Sequence, residues 1–333
     1  LQIKKVSQIV KGNVMTTHEL TLKLDVVGKH EIANGIFEFE LRDPAGQPLP
    51  PFTPGSHISV RTPSGIINKY SLSNSPLETD RYVIAVKRDA QGRGGSMSMA
   101  DDLVQEAQID VSLPDNAFEL TDKRTNYIFI AGGIGITPIF SMIQYLLGTG
   151  INTFQLYYLT RNAQSTAYRK ELNAPTMQGR VVIHHDEGNI DDCYDLWPVL
   201  ENPGNTQIYC CGPRFLMEEV KDMTGHWPVG TVTFESFGTE AKQAKNNVPF
   251  TVTLKSSGET IEVDEKTTIL EALAKNGIIV PSSCESGTCG TCKTGLISGD
   301  VDHRDMVLDE SEQQCKIMVC VSRAKSGNLV LDL

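Results

Sequence analysis

The sequence predicts a multidomain protein: an antiparallel β-barrel, then a doubly wound α/β domain, then a smaller α+β domain. Three observations predict it. Residues 22–118 carry short β-rich runs broken by Pro and Gly. From about Asn126, apolar strand-like runs alternate with helix-like stretches. A polar stretch without periodicity, residues 239–249, precedes a second β-rich region that holds a cluster of cysteines.

The first domain is expected over residues 1–120. Ile58-Ser-Val-Arg-Thr, Arg81-Tyr-Val-Ile-Ala-Val-Lys-Arg and Gln108-Ile-Asp-Val-Ser-Leu read as strands, with Pro54-Gly55 and Pro63-Ser-Gly as turns between them. The second is expected over residues 121–238. Tyr127-Ile-Phe-Ile-Ala is continuously apolar, as a parallel strand buried on both faces must be. A helix over Pro138–Leu147 follows, then strands at Phe154–Leu159, Val181–His184 and Gln207–Cys211. Alternating β and α gives a doubly wound sheet. Residues 239–249 read as a linker, and 250–333 as the third domain, with strands at Phe250–Leu254 and Thr260–Val263 and a helix at Ile269–Asn276. Residues 1–23 are given no role.

With 333 residues, 40% of them hydrophobic and 21% charged, the chain has room for three cores and the balance of an ordinary soluble protein. A net charge of −11 argues against nucleic acid as the main partner, because phosphate is repelled. No apolar run is long enough to cross a bilayer, so no membrane partner is expected. The N-terminal Leu-Gln-Ile-Lys-Lys-Val-Ser-Gln lacks the apolar core of a signal peptide, and a cytoplasmic location is expected.

The cysteines carry the strongest chemical signal. None of the eight precedes Cys193, and Cys284, Cys289, Cys292, Cys315 and Cys320 all lie beyond residue 280. Cys284-x4-Cys289-x2-Cys292 with a remote Cys320 is the plant-type [2Fe–2S] spacing. A loop of this length wraps three thiolates around one cluster, and Gly287 and Gly290 let backbone N–H groups approach its sulfides. Zinc sites more often pair two short hooks. Cys315 is the rival fourth ligand. Cys320 is preferred because Ile317-Met-Val-Cys-Val is a strand-like apolar run that delivers a ligand from beneath, whereas Cys315 lies in a polar stretch.

Two further motifs suit nucleotide cofactors. Asn68-Lys69-Tyr70-Ser71 ends a β segment: Tyr70 offers a ring to an isoalloxazine and Ser71 a hydroxyl to the reactive flavin nitrogen. Gly92-Arg93-Gly94-Gly95-Ser96 precedes a helix expected over Met97–Leu103, a position suited to phosphate, with Lys87, Arg88 and Arg93 adding positive charge. The bland reading of this turn is a solvated surface loop. Ala131-Gly132-Gly133-Ile134-Gly135-Ile136-Thr137-Pro138 follows the buried strand and brings amides to a pyrophosphate without the Rossmann fingerprint. Cys210-Cys211-Gly212-Pro213 ends a later strand, where open α/β sheets bind ligands, which puts Cys211 and Gly212 near a nicotinamide. Buried core cysteines are the plainer alternative.

With these motifs in this order the chain resembles the phthalate dioxygenase reductase family of the ferredoxin–NADP reductase superfamily. The resemblance runs from about residue 24 to the end. It is sharpest at Tyr82-Val-Ile-Ala-Val-Lys-Arg-Asp, Gly92-Arg-Gly-Gly-Ser, Ala131-Gly-Gly-Ile-Gly-Ile-Thr-Pro, Cys210-Cys-Gly-Pro, Phe234-Glu-Ser-Phe-Gly and Pro281-Ser-Ser-Cys-Glu-Ser-Gly-Thr-Cys-Gly. It implies FMN, with FAD second, a [2Fe–2S] cluster in a β-grasp-like ferredoxin domain, NADH as donor, a Rieske-type oxygenase as partner, a monomer, and Phe237 at the flavin face. The family motif reads Arg-x-Tyr-Ser where this chain has Asn68-Lys69-Tyr70-Ser71, so Lys69 or another base is expected to meet the flavin phosphate. The competing readings are a general NADH–acceptor reductase and a non-catalytic nucleotide-binding module with a zinc knot. The segment Thr160–Arg169 holds Arg161 and Arg169 but no acid to exclude a 2′-phosphate, so preference for NADH follows from the resemblance. Asp300, Asp302, Asp305, Asp309, Glu310 and Glu312 against Arg304 form an acidic stretch expected to steer a partner.

Overall fold

The computed structural model describes residues 20–121, 126–237 and 247–333. Among these residues the strands fall into three principal sheets, one for each expected domain.

The first is a six-stranded antiparallel sheet of β1 (Leu20–Ala33), β2 (Ile36–Arg42), β3 (His57–Arg61), β4 (Ile67–Ser71), β5 (Tyr82–Lys87) and β6 (Gln108–Ser112), in the order β4-β3-β6-β1-β2-β5. The long β1 pairs with β2 on one side and β6 on the other. Alternate side chains point inward, so Leu24, Val26, Phe39, Leu41, Ile58, Val60, Ile84 and Val86 fill one core. The sheet closes on itself just past β4: Leu72 bridges Ile84, and the Ser73 amide donates to the Val83 carbonyl at 2.8 Å. Helix α1 (Gly95–Asp101) drops Met99 into this barrel. Lys29 Nζ donates to the carbonyls of Ala100 and Leu103, at 2.7 and 2.8 Å, where the helix ends.

The second sheet is fully parallel: β7 (Asn126–Gly132), β8 (Phe154–Thr160), β9 (Val181–His185), β10 (Thr206–Cys211) and β11 (Val232–Glu235), ordered β11-β10-β7-β8-β9. Both faces are covered, which explains the unbroken apolar runs. Tyr127, Phe129 and Ala131 pack with helix α2 (Ile136–Gly148) on one face. Ile130, Ile208 and Cys210 pack with the helix Arg214–Met223 on the other. The strand order reverses between β7 and β10, the place where open α/β sheets take ligands. Hydrogen bonds from Ser141 Oγ to the Asn74 carbonyl and Gln144 Nε2 to the Ser73 carbonyl, 2.8 and 2.7 Å, tie α2 to the barrel.

The third unit joins β12 (Phe250–Leu254), β13 (Thr260–Val263), β14 (Lys293–Ser298), β16 (Lys316–Met318) and β18 (Asn328–Leu331) in a mixed sheet ordered β13-β12-β18-β14-β16, with β15 (Val301–Asp302) and β17 (Arg323–Ala324) as a separate antiparallel pair. Its helix Ile269–Lys275 starts on a reciprocal cap between Thr268 and Glu271 and buries Ile269, Ala272 and Leu273 against the sheet. A helix across a mixed sheet is the β-grasp arrangement. Residues 239–246 of the expected linker, and residues 1–19, lie outside the described residues.

Two expectations change. The run Ile317–Val321 is not a continuous strand: β16 stops at Met318, and the amides of Val321 and Ser322 turn back to the Met318 carbonyl at 3.2 and 3.0 Å. Cys320 therefore sits in a tight turn. Helix α1 begins at Gly95, two residues before the expected Met97.

Candidate functional site

A cavity of about 640 Å3 opens where the three domains meet. From β4 it receives Asn68, Lys69, Tyr70 and Ser71. Lys87, Arg88, Arg93, Gly95 and Ser96 come from the end of β5 and the start of α1. Ile134, Thr137, Glu235 and Phe237 come from the parallel domain, and Cys284, Glu285 and Ser286 from the cysteine loop. Gly94 sits at the turn into α1 with φ of +92°, in the left-handed region open to glycine. The next residues of α1, Gly95 and Ser96, line the cavity. Asn68 Nδ2 donates to Tyr70 Oη at 3.2 Å and fills the space beside Gly95. Arg88 is held by Asp101 through bonds of 2.8 and 2.9 Å, which leaves Lys87 and Arg93 as the other bases on this wall.

The Lys69 ammonium donates to the carbonyl of Ser283 and lies 3.5 Å from Glu285 Oε1. It lines the cavity and reaches across to the cysteine loop.

A larger cavity, about 850 Å3, lies over the switch point of the parallel sheet. Gly132, Gly133 and Gly135 line it from the end of β7, and Gly212 and Pro213 from the end of β10. The two turns interlock. A Cβ on Gly135 would overlap the Cys211 carbonyl, and one on Gly132 would come within 2.5 Å of Pro213 Cδ. Cys211 itself is buried in the core, where burial pushes its thiol well above the usual range. Phe237, with Lys87, Asp89, Ile134 and Ser236, lines both cavities, so the two are neighbours.

Sequence reasoning missed several residues here. Glu235, inside the quoted Phe234-Glu-Ser-Phe-Gly stretch, is 6% exposed, and its Oε2 lies 3.5 Å from Ser71 Oγ. Burial pushes its carboxyl up to about 8, the charge on Cys284 pushes the same way, and Ser71 and Lys69 pull it back. Asp186 and Glu219 line the larger cavity with Arg161, although neither lies in the segment searched for an acid. His57 and Ser59 of β3 complete the smaller one. Only Glu235 had a local signal, an acid inside an otherwise strand-like run. The rest come from separate elements.

The four expected cluster ligands are free thiols that stand in two hydrogen-bonded pairs, Cys284 with Cys289 and Cys292 with Cys320. Among the described residues no three such side chains converge as a single metal ion requires. Two pairs are what a two-iron cluster needs, with four thiolates shared between two metals. Amides serve the sulfurs: Ser286 N donates to Cys284 Sγ at 3.4 Å. Gly287 allows close packing, its φ being +78° and a Cβ there falling 2.7 Å from Val321. The residues present fit the group. Cys315 is exposed and lies apart from both pairs.

The acidic stretch is largely satisfied inside its own domain. Asp305 is buried and accepts from the Leu308 amide at 2.8 Å. Asp302 binds Arg304 at 2.6 Å, Asp300 binds Lys325 at 3.2 Å, Glu312 binds Lys293 at 2.7 Å, and Asp309 accepts from the Glu312 amide at 2.8 Å. The expected steering patch is thereby reduced.

Comparisons with known proteins agree with this geometry. Residues 252–325 match the 2Fe-2S iron-sulfur cluster binding domain and residues 129–222 the oxidoreductase NAD-binding domain. The chain is 57% identical over 311 residues to the phthalate 4,5-dioxygenase oxygenase reductase subunit of Pseudomonas putida, covering 93% of this chain and 96% of that one. It is 52% identical to the phthalate dioxygenase reductase of Burkholderia cepacia, covering 94% and 97%. A solved phthalate dioxygenase reductase, described as a modular structure for electron transfer from pyridine nucleotides to [2Fe–2S], superposes with a TM-score of 0.73 at 51% identity, covering 94% of this chain and 98% of that one.

Proposed function

The chain belongs to the phthalate dioxygenase reductase family, and from that premise we propose that it oxidises NADH and passes electrons one at a time to a Rieske-type oxygenase of an aromatic-ring dioxygenase. One observation carries the reading: Tyr70 and Ser71 of the barrel, Phe237 of the parallel domain and Cys284 of the cysteine loop line a single cavity. A carrier that accepts hydride from one side and releases electrons to the other must sit where all three domains touch it.

When bound, FMN converts a two-electron hydride into single electrons and the [2Fe–2S] cluster is their one-electron outlet. The chain's own residues bind and orient. Tyr70 and Ser71 would hold the flavin ring, and the start of α1 after Gly94, with Ser96, Lys87 and Arg93, would hold its phosphate in place of the absent motif arginine. Phe237, which lines both cavities, would separate the ring from the incoming nicotinamide. Gly132, Gly133, Gly135, Thr137 and Gly212 let the dinucleotide approach the strand ends. Glu235 keeps its proton at neutral pH, beside Ser71 Oγ. Asp186 and Glu219 favour a ribose hydroxyl over a 2′-phosphate, which supports NADH over NADPH. Cys284, Cys289, Cys292 and Cys320 hold the cluster. The partner approaches on the solvent side of that loop, where Thr291 is exposed and Cys289 half-buried. The protein acts as a monomer, and no helix among the described residues is long and apolar enough to cross a membrane.

The test is content followed by separation of steps. Protein purified without air is expected to carry flavin, iron and acid-labile sulfide, whereas stoichiometric zinc in place of iron sinks the reading. Cys289→Ala is expected to keep reduction of flavin by NADH and lose reduction of a one-electron acceptor that draws from the cluster. Cys315→Ser should retain the cluster, and its loss there would reassign the fourth ligand.

A further inference from the structure

We propose that Lys69 is a positioning residue that docks the ferredoxin domain on the flavin cavity by gripping the chain on both sides of Cys284. The proposal rests on the flavin and cluster sites proposed above. The family motif leaves this position open, as the x of Arg-x-Tyr-Ser, so a lysine here is free to acquire a separate task. Its ammonium takes the Ser283 carbonyl, one residue before Cys284, and faces Glu285 Oε1 at 3.5 Å, one residue after it. Both side chains of the ion pair are about two-thirds covered, at 26% and 33% exposure. A charge-assisted bond to a carbonyl in such a place is stronger than a solvated surface pair.

The grip is reinforced from a second barrel element. Ser283 Oγ donates to Asp115 Oδ2 at 2.9 Å, and Asp115 is itself bridged to His57 at the start of β3. A third tie comes from the parallel domain, where Arg214 Nη1 donates to the Arg304 carbonyl at 3.3 Å. The result at the loop is specific. The segment Ser283–Glu285 is fastened to β4 and β3, and Cys284 between them lines the same cavity as Tyr70 and Ser71. A covalently tethered domain already has a high effective concentration. What it lacks is one orientation, and two fixed points astride Cys284 supply it. Cys289 lies 3.2 Å from the hydroxyl of the exposed Thr291, while Cys284 lines the flavin cavity, so the docked loop keeps a second face toward solvent.

The experiment uses the full-length, cofactor-loaded protein. Flavin content, the rate of flavin-to-cluster electron transfer after anaerobic mixing with NADH, and hydrogen exchange of amides 283–287 without NADH are measured for the wild type, Lys69→Met, Lys69→Arg and the pair Lys69→Glu with Glu285→Lys. Lys69→Met is expected to retain flavin, slow the internal transfer roughly tenfold and speed exchange in the loop, while Lys69→Arg stays near wild type. Lys69→Glu alone should be slower still, and adding Glu285→Lys should recover part of the rate. Unchanged transfer and exchange in Lys69→Met overturn the proposal. So does loss of flavin with unchanged loop exchange, which would return Lys69 to the phosphate. A wild type lacking flavin or iron instead overturns the underlying assignment of the two sites, and that outcome is visible before any variant is made.

Discussion

The two cavities share a wall at Phe237 but are built differently. The smaller one gathers single residues from three domains, with Lys69, Glu235 and Glu285 all lining it. The larger joins the crossing of two strand ends of the parallel domain, where glycine backbone lines it, to Asn34, Ile36, Lys87 and Asp89 of the barrel. Glycine serves each differently. Gly94 is needed for its backbone angle, since φ is +92° and nothing stands within 4 Å of where a Cβ would be. Gly135 is needed for its lack of volume, because the Cys211 carbonyl occupies the place of a side chain.

The largest expected effect follows from that contrast. Gly135→Ala forces two strand ends apart where only backbone is available to move. It should cost about 3 kcal/mol or more of stability and weaken NADH binding at least roughly a hundredfold. Calorimetry and NADH titration check this. Wild-type values in both would mean that the turns are not as tightly interlocked as described. Gly94→Ala should do less, about 1–2 kcal/mol, because only a left-handed backbone is penalised. Its signature is weaker flavin retention with NADH binding unchanged. An equal loss of both ligands would erase the distinction between the two glycines.

A third effect concerns the buried carboxyl. The Glu235 carboxyl is raised from 4.5 in the unfolded chain to about 8 in the native one. A raised carboxyl contributes stability that is fully present below the unfolded value and is lost as pH rises through the folded one. Thermal stability should therefore decline as pH rises from about 5 to about 8, by about 2–4 °C for each kcal/mol lost. Glu235→Gln should flatten that decline. An identical slope in the variant would show that this carboxyl does not hold its proton in the native protein.

Much of this protein was legible because its signals are local. Period-two and continuous apolar runs located most strands within one or two residues, including β8 at Phe154–Thr160 and β12 at Phe250–Leu254. The cysteine spacing and the turns Gly92–Ser96 and Gly132–Gly135 are short motifs whose chemistry depends on neighbours in the chain. The preference for Cys320 rests on the same local reading, although the strand expected to deliver it is a turn.

What required the tertiary structure is whatever depends on residues far apart in sequence. Lys69 and Glu285 meet across more than two hundred residues, and nothing in Asn68-Lys-Tyr-Ser tells a phosphate-binding base from a docking one. Asp186 and Glu219 face the nucleotide cleft only because β9 and the helix Arg214–Met223 open onto the same sheet edge. Glu235 reads as an ordinary strand acid until burial, the main cause of its raised carboxyl, is known. The acids after Asp300 look like a solvated patch until their partners are seen, and then most are internal ties. Sequence determines the elements and the motifs because their causes are short-range. Desolvation and ion pairing sum over all neighbours in space, so only the folded chain decides which charge does what.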